Sequence, residues 1–154
     1  MPLHPIRCMI NMSKLSENLK ELMEERELNQ ATLAEKLDTG RTKLSDILNA
    51  KNAPGYHTFV ALIEFFHCSA DFLLGLKEYP CEETAYRTVP PFQDRLRAVF
   101  RETDKSQYSF IKETKTSWSV LHGWLNGKTS PSMDSLVKTA AFFGCSVDFL
   151  LGRV

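Results

Sequence analysis

The sequence predicts an all-α protein built from two copies of one small helical module, and three observations carry that expectation. The runs F-F-H-C-S-A-D-F-L-L-G (Phe65 to Gly75) and F-F-G-C-S-V-D-F-L-L-G (Phe142 to Gly152) repeat at an offset of 77 residues, which holds without a gap. Leu19 pairs with Leu96, Gln30 with Gln107, Leu44 with Leu121, Asn49 with Asn126, Lys51 with Lys128 and Pro54 with Pro131, and 19 of 63 aligned positions are identical. Within each copy, apolar residues recur at steps of three and four, as in Leu15, Leu19, Leu22 and Met23 or Phe92, Leu96, Val99 and Phe100, which is the helical period. No segment shows convincing strand alternation.

The elements follow in order. A first helix carries the stripe that starts at Leu15 or Phe92. A second starts at Gln30 and Gln107, because Asn29 and Ser106 can cap it by accepting from a backbone N–H of its first turn. A third follows the turn at Asp38 to Gly40, with Gly40 and Ser117 as its N-caps, and stops near Ala50 or Gly127. A fourth begins after Pro54 or Pro131. The last starts at the capping Ser69 and Ser146, with Asp71 and Asp148 in a first turn where a carboxylate favours the helix dipole. Prolines 80, 90 and 91 with Glu82 and Glu83 mark a linker over 77–91 between domains 15–76 and 92–154, onto which Tyr79, Tyr86 and Val89 can fold back. Residues 1–14 lie outside the repeat, with Met12 heading M-S-K, and are expected to be a disordered arm or to precede the true start codon.

Composition narrows the function classes. No stretch approaches the roughly 20 apolar residues that cross a bilayer, and 1–12 has no continuous apolar core, so a soluble cytoplasmic protein without membrane attachment is expected. Cys8, Cys68, Cys81 and Cys145 form no C-x-x-C, and His4, His57, His67 and His122 are scattered, so neither a metal site nor any other cofactor is expected. Cys68 and Cys145 occupy equivalent places and read as small core residues. Phe65, Phe66, Phe142 and Phe143 read as core rather than as a ligand pocket. The formal net charge is zero, but residues 15–77 hold 7 basic and 10 acidic side chains, net −3, and residues 92–154 hold 9 and 6, net +3. Any attraction for a polyanion must therefore come from local patches. No P-loop, G-x-S-x-G, H-E-x-x-H or G-x-G-x-x-G occurs, and lone serines and histidines make no triad, so the protein is not expected to be an enzyme.

The module resembles the Cro and lambda-repressor-type (XRE) helix-turn-helix family. N-Q-A-T-L-A-E-K-L (Asn29 to Leu37) is similar to the family's S-Q-x-x-L-A opening, and G-R-T-K-L-S-D-I-L-N-A-K-N-A-P (Gly40 to Pro54) to its third helix and G-K-x-x-P run. S-Q-Y-S-F-I (Ser106 to Ile111) and W-L-N-G-K-T-S-P (Trp124 to Pro131) repeat these features, and C-S-x-D-F-L-L-G closes both copies. The resemblance implies two tandem five-helix lambda-repressor-like helix-turn-helix domains. It also implies sequence-specific binding of double-stranded DNA by a transcriptional regulator, most simply a repressor that occludes a promoter.

A major groove about 12 Å wide admits one helix whose N-terminal side chains reach base edges, and the third helix is that candidate. In copy one Leu44, Ile47 and Leu48 face inward. Arg41 and Lys43 suit guanine or phosphate, Thr42 and Ser45 can donate or accept, and Asp46 can accept from cytosine. Lys51 and Asn52 suit phosphate, and Gln30 matches a family position that holds the DNA backbone.

Copy two departs from the pattern. Ile111 stands where copy one has the small Ala34, and Lys115 where it has Asp38, at a turn position where the family favours glycine. Its reading face is Trp118, Ser119, Val120, His122 and Gly123, with no basic residue before Lys128. Ser119, His122, Gln107, Lys128 and Thr129 remain candidates for DNA contact together with Lys112 and Lys115. Trp118 and Val120 suggest instead a protein interface, through which copy two forms a homodimer or binds another partner without touching DNA. If copy two does read DNA, a linker of about 14 residues can extend to about 46 Å, enough for half-sites about 34 Å apart.

Overall fold

The first helix is a 14-residue segment whose buried face is Leu15, Leu19, Leu22 and Met23, started by the Asn11 side chain accepting from the Lys14 N–H at 3.1 Å. In the computed structural model residues 10–79 and 85–154 are described. They form two units, one over residues 10–79 and one over residues 85–154. Unit one contains α1 (Met12–Glu25), α2 (Gln30–Lys36), α3 (Arg41–Leu48), α4 (Tyr56–Phe66) and α5 (Ala70–Leu73). Unit two contains α6 (Phe92–Thr103), α7 (Gln107–Thr114), α8 (Trp118–Leu125), α9 (Met133–Phe143) and α10 (Val147–Leu150). Every described element is helical, as the sequence predicts. No helix among the described residues is long and apolar enough to cross a membrane.

Each unit wraps its helices around one core. In unit one Leu19, Leu33, Leu44, Phe59, Leu62, Ile63 and Leu73 are fully buried. In unit two the positions of Leu15, Met23, Leu33 and Ile47 are taken by Phe92, Phe100, Phe110 and Trp124, so a largely aliphatic core becomes an aromatic one. Phe110 meets Phe142 edge-on at 5.1 Å, and Phe100 meets Phe143 at 5.0 Å. Phe66, Phe142 and Phe143 are core, as expected, while Phe65 is half-buried with the Arg26 guanidinium 5.6 Å from its ring. Cys68 is buried, but Cys145 is only half-buried, so it fills less of the core than the repeat suggested. Cys8, Cys81 and His4 lie outside the described residues. Among the described residues no group of three His, Cys, Asp or Glu side chains is placed to hold a metal ion.

The helix starts follow the capping residues. Asn29, Ser69, Ser106, Ser117 and Ser146 each accept from a first-turn N–H, while Gly40 caps α3 with backbone alone. The helix ends repeat even more strictly. Left-handed residues fall at Glu27, Asp38, Ala50, His67 and Gly75, and again 77 residues on at Asp104, Lys115, Gly127, Gly144 and Gly152. The backbone path is therefore conserved between the copies where glycine is not. Long-range caps are conserved in position and altered in kind. The carbonyl of Phe72 takes the Asn18 amide at 2.7 Å, and its counterpart Phe149 takes Arg95 Nη2 at 2.8 Å. The carbonyl ending α3 at Leu48 takes Ser16 Oγ, and that of Leu125 takes Arg97 Nη2 at 2.7 Å.

The boundaries differ from the composition-based expectation at both junctions. Residues 12–14, predicted as part of the arm, already belong to α1 because Asn11 caps it; residues 1–9 lie outside the described residues. Of the predicted linker, residues 80–84 also lie outside them, and residues 85–91 belong to unit two. The Arg87 N–H donates to the Arg153 carbonyl at 2.9 Å, and the Arg153 guanidinium lies 4.2 Å from the centre of the Tyr86 ring. Arg153 is itself buried and paired with Asp148 at 2.7 Å. Tyr86 thus folds back as read from the sequence, whereas Tyr79 is 72% exposed.

Candidate nucleic-acid interface

The surface predicted to read DNA in unit one is the N-terminal half of α3. Leu44, Ile47 and Leu48 are buried against α1 and α2 and set the helix's rotation, which turns Arg41, Thr42 and Lys43 outward. None of these three side chains makes a hydrogen bond or ion pair with another described residue, so both cationic heads are available to an external ligand. Ser45 and Asp46, one turn on, are half-buried. Ser45 Oγ accepts from Asn49 Nδ2 at 3.2 Å, and Asp46 Oδ2 accepts from Asn52 Nδ2 at 3.4 Å. The Asp46 carbonyl also takes the Lys51 N–H at 2.8 Å. Asp46 and Asn52, expected at cytosine and phosphate, therefore also shape the turn after α3, while Lys51 stays exposed at its tip. Lys43, Asp46 and Asn52 line a shallow cleft of about 250 Å³ beside Thr58 at the start of α4.

Gln30 does something the sequence did not suggest. Its Nε2 donates to the Arg41 carbonyl at 3.2 Å, which ties the first turn of α2 to the first turn of α3. The residue expected on the DNA backbone is thereby also a strut for α3. The charge around that helix is divided: Glu17, Glu21, Glu24, Glu25 and Glu27 are all exposed on α1 or just past it, and account for half of the acidic side chains behind the net −3. No ion pair joins Arg41 or Lys43 to a described residue.

In unit two α8 stands in the same relation to its core, with Leu121, Trp124 and Leu125 buried. Trp118, Ser119, Val120 and His122 are exposed, and the Trp118 and His122 rings meet edge-on at 5.4 Å. Gly123 stands where unit one has Asp46, and Thr129 where it has Asn52; a Cβ on Gly123 would lie 2.4 Å from Thr129 Oγ1. The side-chain pair of unit one is replaced by close packing, and Thr129 keeps its backbone bond to the Gly123 carbonyl at 3.2 Å. Gln107 does not repeat the strut of Gln30: its side chain makes no hydrogen bond with a described residue. Consistently, α7 packs chiefly on α9 and approaches α8 less closely than α2 approaches α3. Ile111, half-buried, stands where unit one has the buried Ala34.

Several basic side chains of unit two are structural. Lys105 Nζ donates to the Phe142 carbonyl at 2.7 Å and Lys138 Nζ to the Thr114 carbonyl at 3.0 Å, while Arg95, Arg97 and Arg153 are engaged as described above. Lys112, Lys115 and Lys128 remain exposed. The sequence reading missed Arg97 and Asn126, which line a cleft of about 340 Å³ with Gln107 and His122. It also missed Tyr108, 65% exposed on α7. Arg97 lies on the polar stripe of α6, and no local pattern distinguishes a solvated arginine there from one that reaches across to α8.

Comparison with known families finds a match over residues 19–73 to a family described as helix-turn-helix. The match lies wholly within unit one and spans α2 and α3, the two helices whose first turns Gln30 joins. No curated protein and no solved structure matches the chain.

Proposed function

We propose that the protein is a cytoplasmic transcriptional regulator, most simply a repressor, that binds double-stranded DNA in a sequence-specific manner with α3 of unit one in the major groove. The observation that carries this reading is the pair Arg41 and Lys43, exposed and unengaged on the first turn of a helix fixed from beneath by Leu44, Ile47 and Leu48, inside the stretch that matches a helix-turn-helix family. Arg41 donates to guanine O6 and N7 or to a phosphate, Thr42 and Ser45 adjust to either base edge, and Lys43 and Lys51 hold phosphates. Gln30 keeps the two helices in register for this. Unit two takes an adjacent half-site on the same duplex, and the tether raises its effective concentration there.

Selection of bound duplexes from a random-sequence pool, at two salt concentrations, tests this. The expected result is an enriched motif whose binding weakens steeply with salt. The double variant Arg41→Ala, Lys43→Ala should lose the enrichment. An unchanged motif in that variant would remove these residues from the interface, and no enrichment by the native chain would remove the function.

A further inference from the structure

The 77-residue correspondence places Trp118 and Val120 of unit two where unit one has Arg41 and Lys43. Both sit in the first turn of α8, which Ser117 caps through the Val120 N–H at 3.2 Å. Trp118 is 45% and Val120 44% exposed. The setting speaks for a nucleic acid rather than a protein: Lys115 and Lys128 flank the helix, exposed, and residues 92–154 carry a net charge of +3, which suits a polyanion.

The base-pair feature that an apolar side chain can recognise in the major groove is the thymine 5-methyl group. We infer that α8 reads thymine methyls, with Val120 and Trp118 as the specificity-determining contacts, so that the two units read half-sites of different composition: one polar and cation-read, one thymine-rich. The edge-on contact with His122 holds the Trp118 ring against its own helix and leaves the far edge for the methyl. Ser119 and His122, on the same exposed surface, supply the polar contacts that fix register.

This inference rests on the DNA-binding reading above, and deoxyuridine separates the two. In the duplex selected by the full chain, thymines of the half-site that unit two protects are replaced by uracil, which removes the methyl and leaves every hydrogen-bonding group in place. Affinity should fall about 3- to 5-fold for each uracil, the scale of one methyl group taken from an apolar contact. The same replacement in the unit-one half should change little, and the double variant Trp118→Ser, Val120→Ser should abolish the difference between thymine and uracil. Equal affinity for both duplexes, with the loss in the Arg41→Ala, Lys43→Ala variant intact, would overturn the inference and leave the DNA-binding reading standing. A Trp118→Ala variant that changes oligomeric mass without changing the thymine–uracil ratio would overturn it in favour of a protein contact. A chain that enriches no duplex would take both readings down together.

Discussion

Lys115 and Asp38 occupy the same left-handed turn between the second and third helices of their units, at φ 57° and 51°. Asparagine, aspartate and glycine visit that region at small cost, whereas a long side chain there costs roughly 1–2 kcal/mol. Lys115→Gly should therefore stabilise unit two by about 1 kcal/mol, read as a raised urea midpoint, the gain being reduced by the larger chain entropy of glycine when unfolded. A lowered midpoint would mean that the lysine stem packs better than its backbone geometry suggests. Tyr56 offers a second test. Burial chiefly, and the nearby Glu64 carboxylate next, push its phenol up to about 12 from 10.0. Because the folded value is above the unfolded one, this stabilising contribution is full below pH 10 and is lost as pH rises from 10 toward 12. Tyr56→Phe should flatten the alkaline loss of stability followed by circular dichroism, and should remove a late-titrating component from the tyrosinate absorbance of the native chain.

At the scale of elements, the two units hold equivalent helices with different chemistry. Ser117 caps α8 with its hydroxyl and Gly40 caps α3 without one, so Ser117→Ala should cost about 1 kcal/mol in unit two. Thermal unfolding of the separate unit-two polypeptide would register it as a lower Tm. Segment 85–91 is held by Arg153, whose partner Asp148 is buried with it. Removing one member of a buried ion pair leaves the other charged and desolvated, a loss of roughly 3–5 kcal/mol. Arg153→Met should therefore destabilise unit two and expose 85–91 to protease; unchanged cleavage there would mean that Tyr86 and the backbone bond at Arg87 suffice. These elements were only partly legible in advance. Caps at Asn29, Ser69, Ser106, Ser117 and Ser146 were readable because a capping side chain acts within three residues of itself. Arg95, Arg97, Lys105 and Arg153 were not, since each reaches a carbonyl or carboxylate on another helix or turn.

For the whole molecule, the same logic separates affinity from specificity. Phosphate contacts set the salt dependence, so the double variant Arg41→Ala, Lys43→Ala should lower the slope of log K against log salt by up to about 2, one for each phosphate contact removed. Joining two modules on one chain can raise affinity by about 10²–10⁴ over either alone. Fragments 10–79 and 85–154, mixed without the tether, should bind the selected duplex more weakly than the full chain by a factor in that range. Equal affinity would assign all of the binding to one unit.

The amino-acid order alone determined the helical class, the duplication, the positions of most helix starts and the face of α3 and α8 that turns outward, because each depends on neighbours within about four residues or on a comparison of the chain with itself. The glycine-poor turns at Asp38 and Lys115 were legible for the same reason. Only the tertiary structure decided that Gln30 braces the start of α3 while Gln107 is left loose. It alone showed Asp46 and Asn52 shaping a turn as well as facing outward, the segment 85–91 joining unit two, and a substantial part of the basic charge of unit two being tied to its own backbone. Those outcomes depend on which distant groups arrive within about 3 Å of one another once the core has closed, and a hydrogen bond across that distance leaves no periodicity in the chain to read.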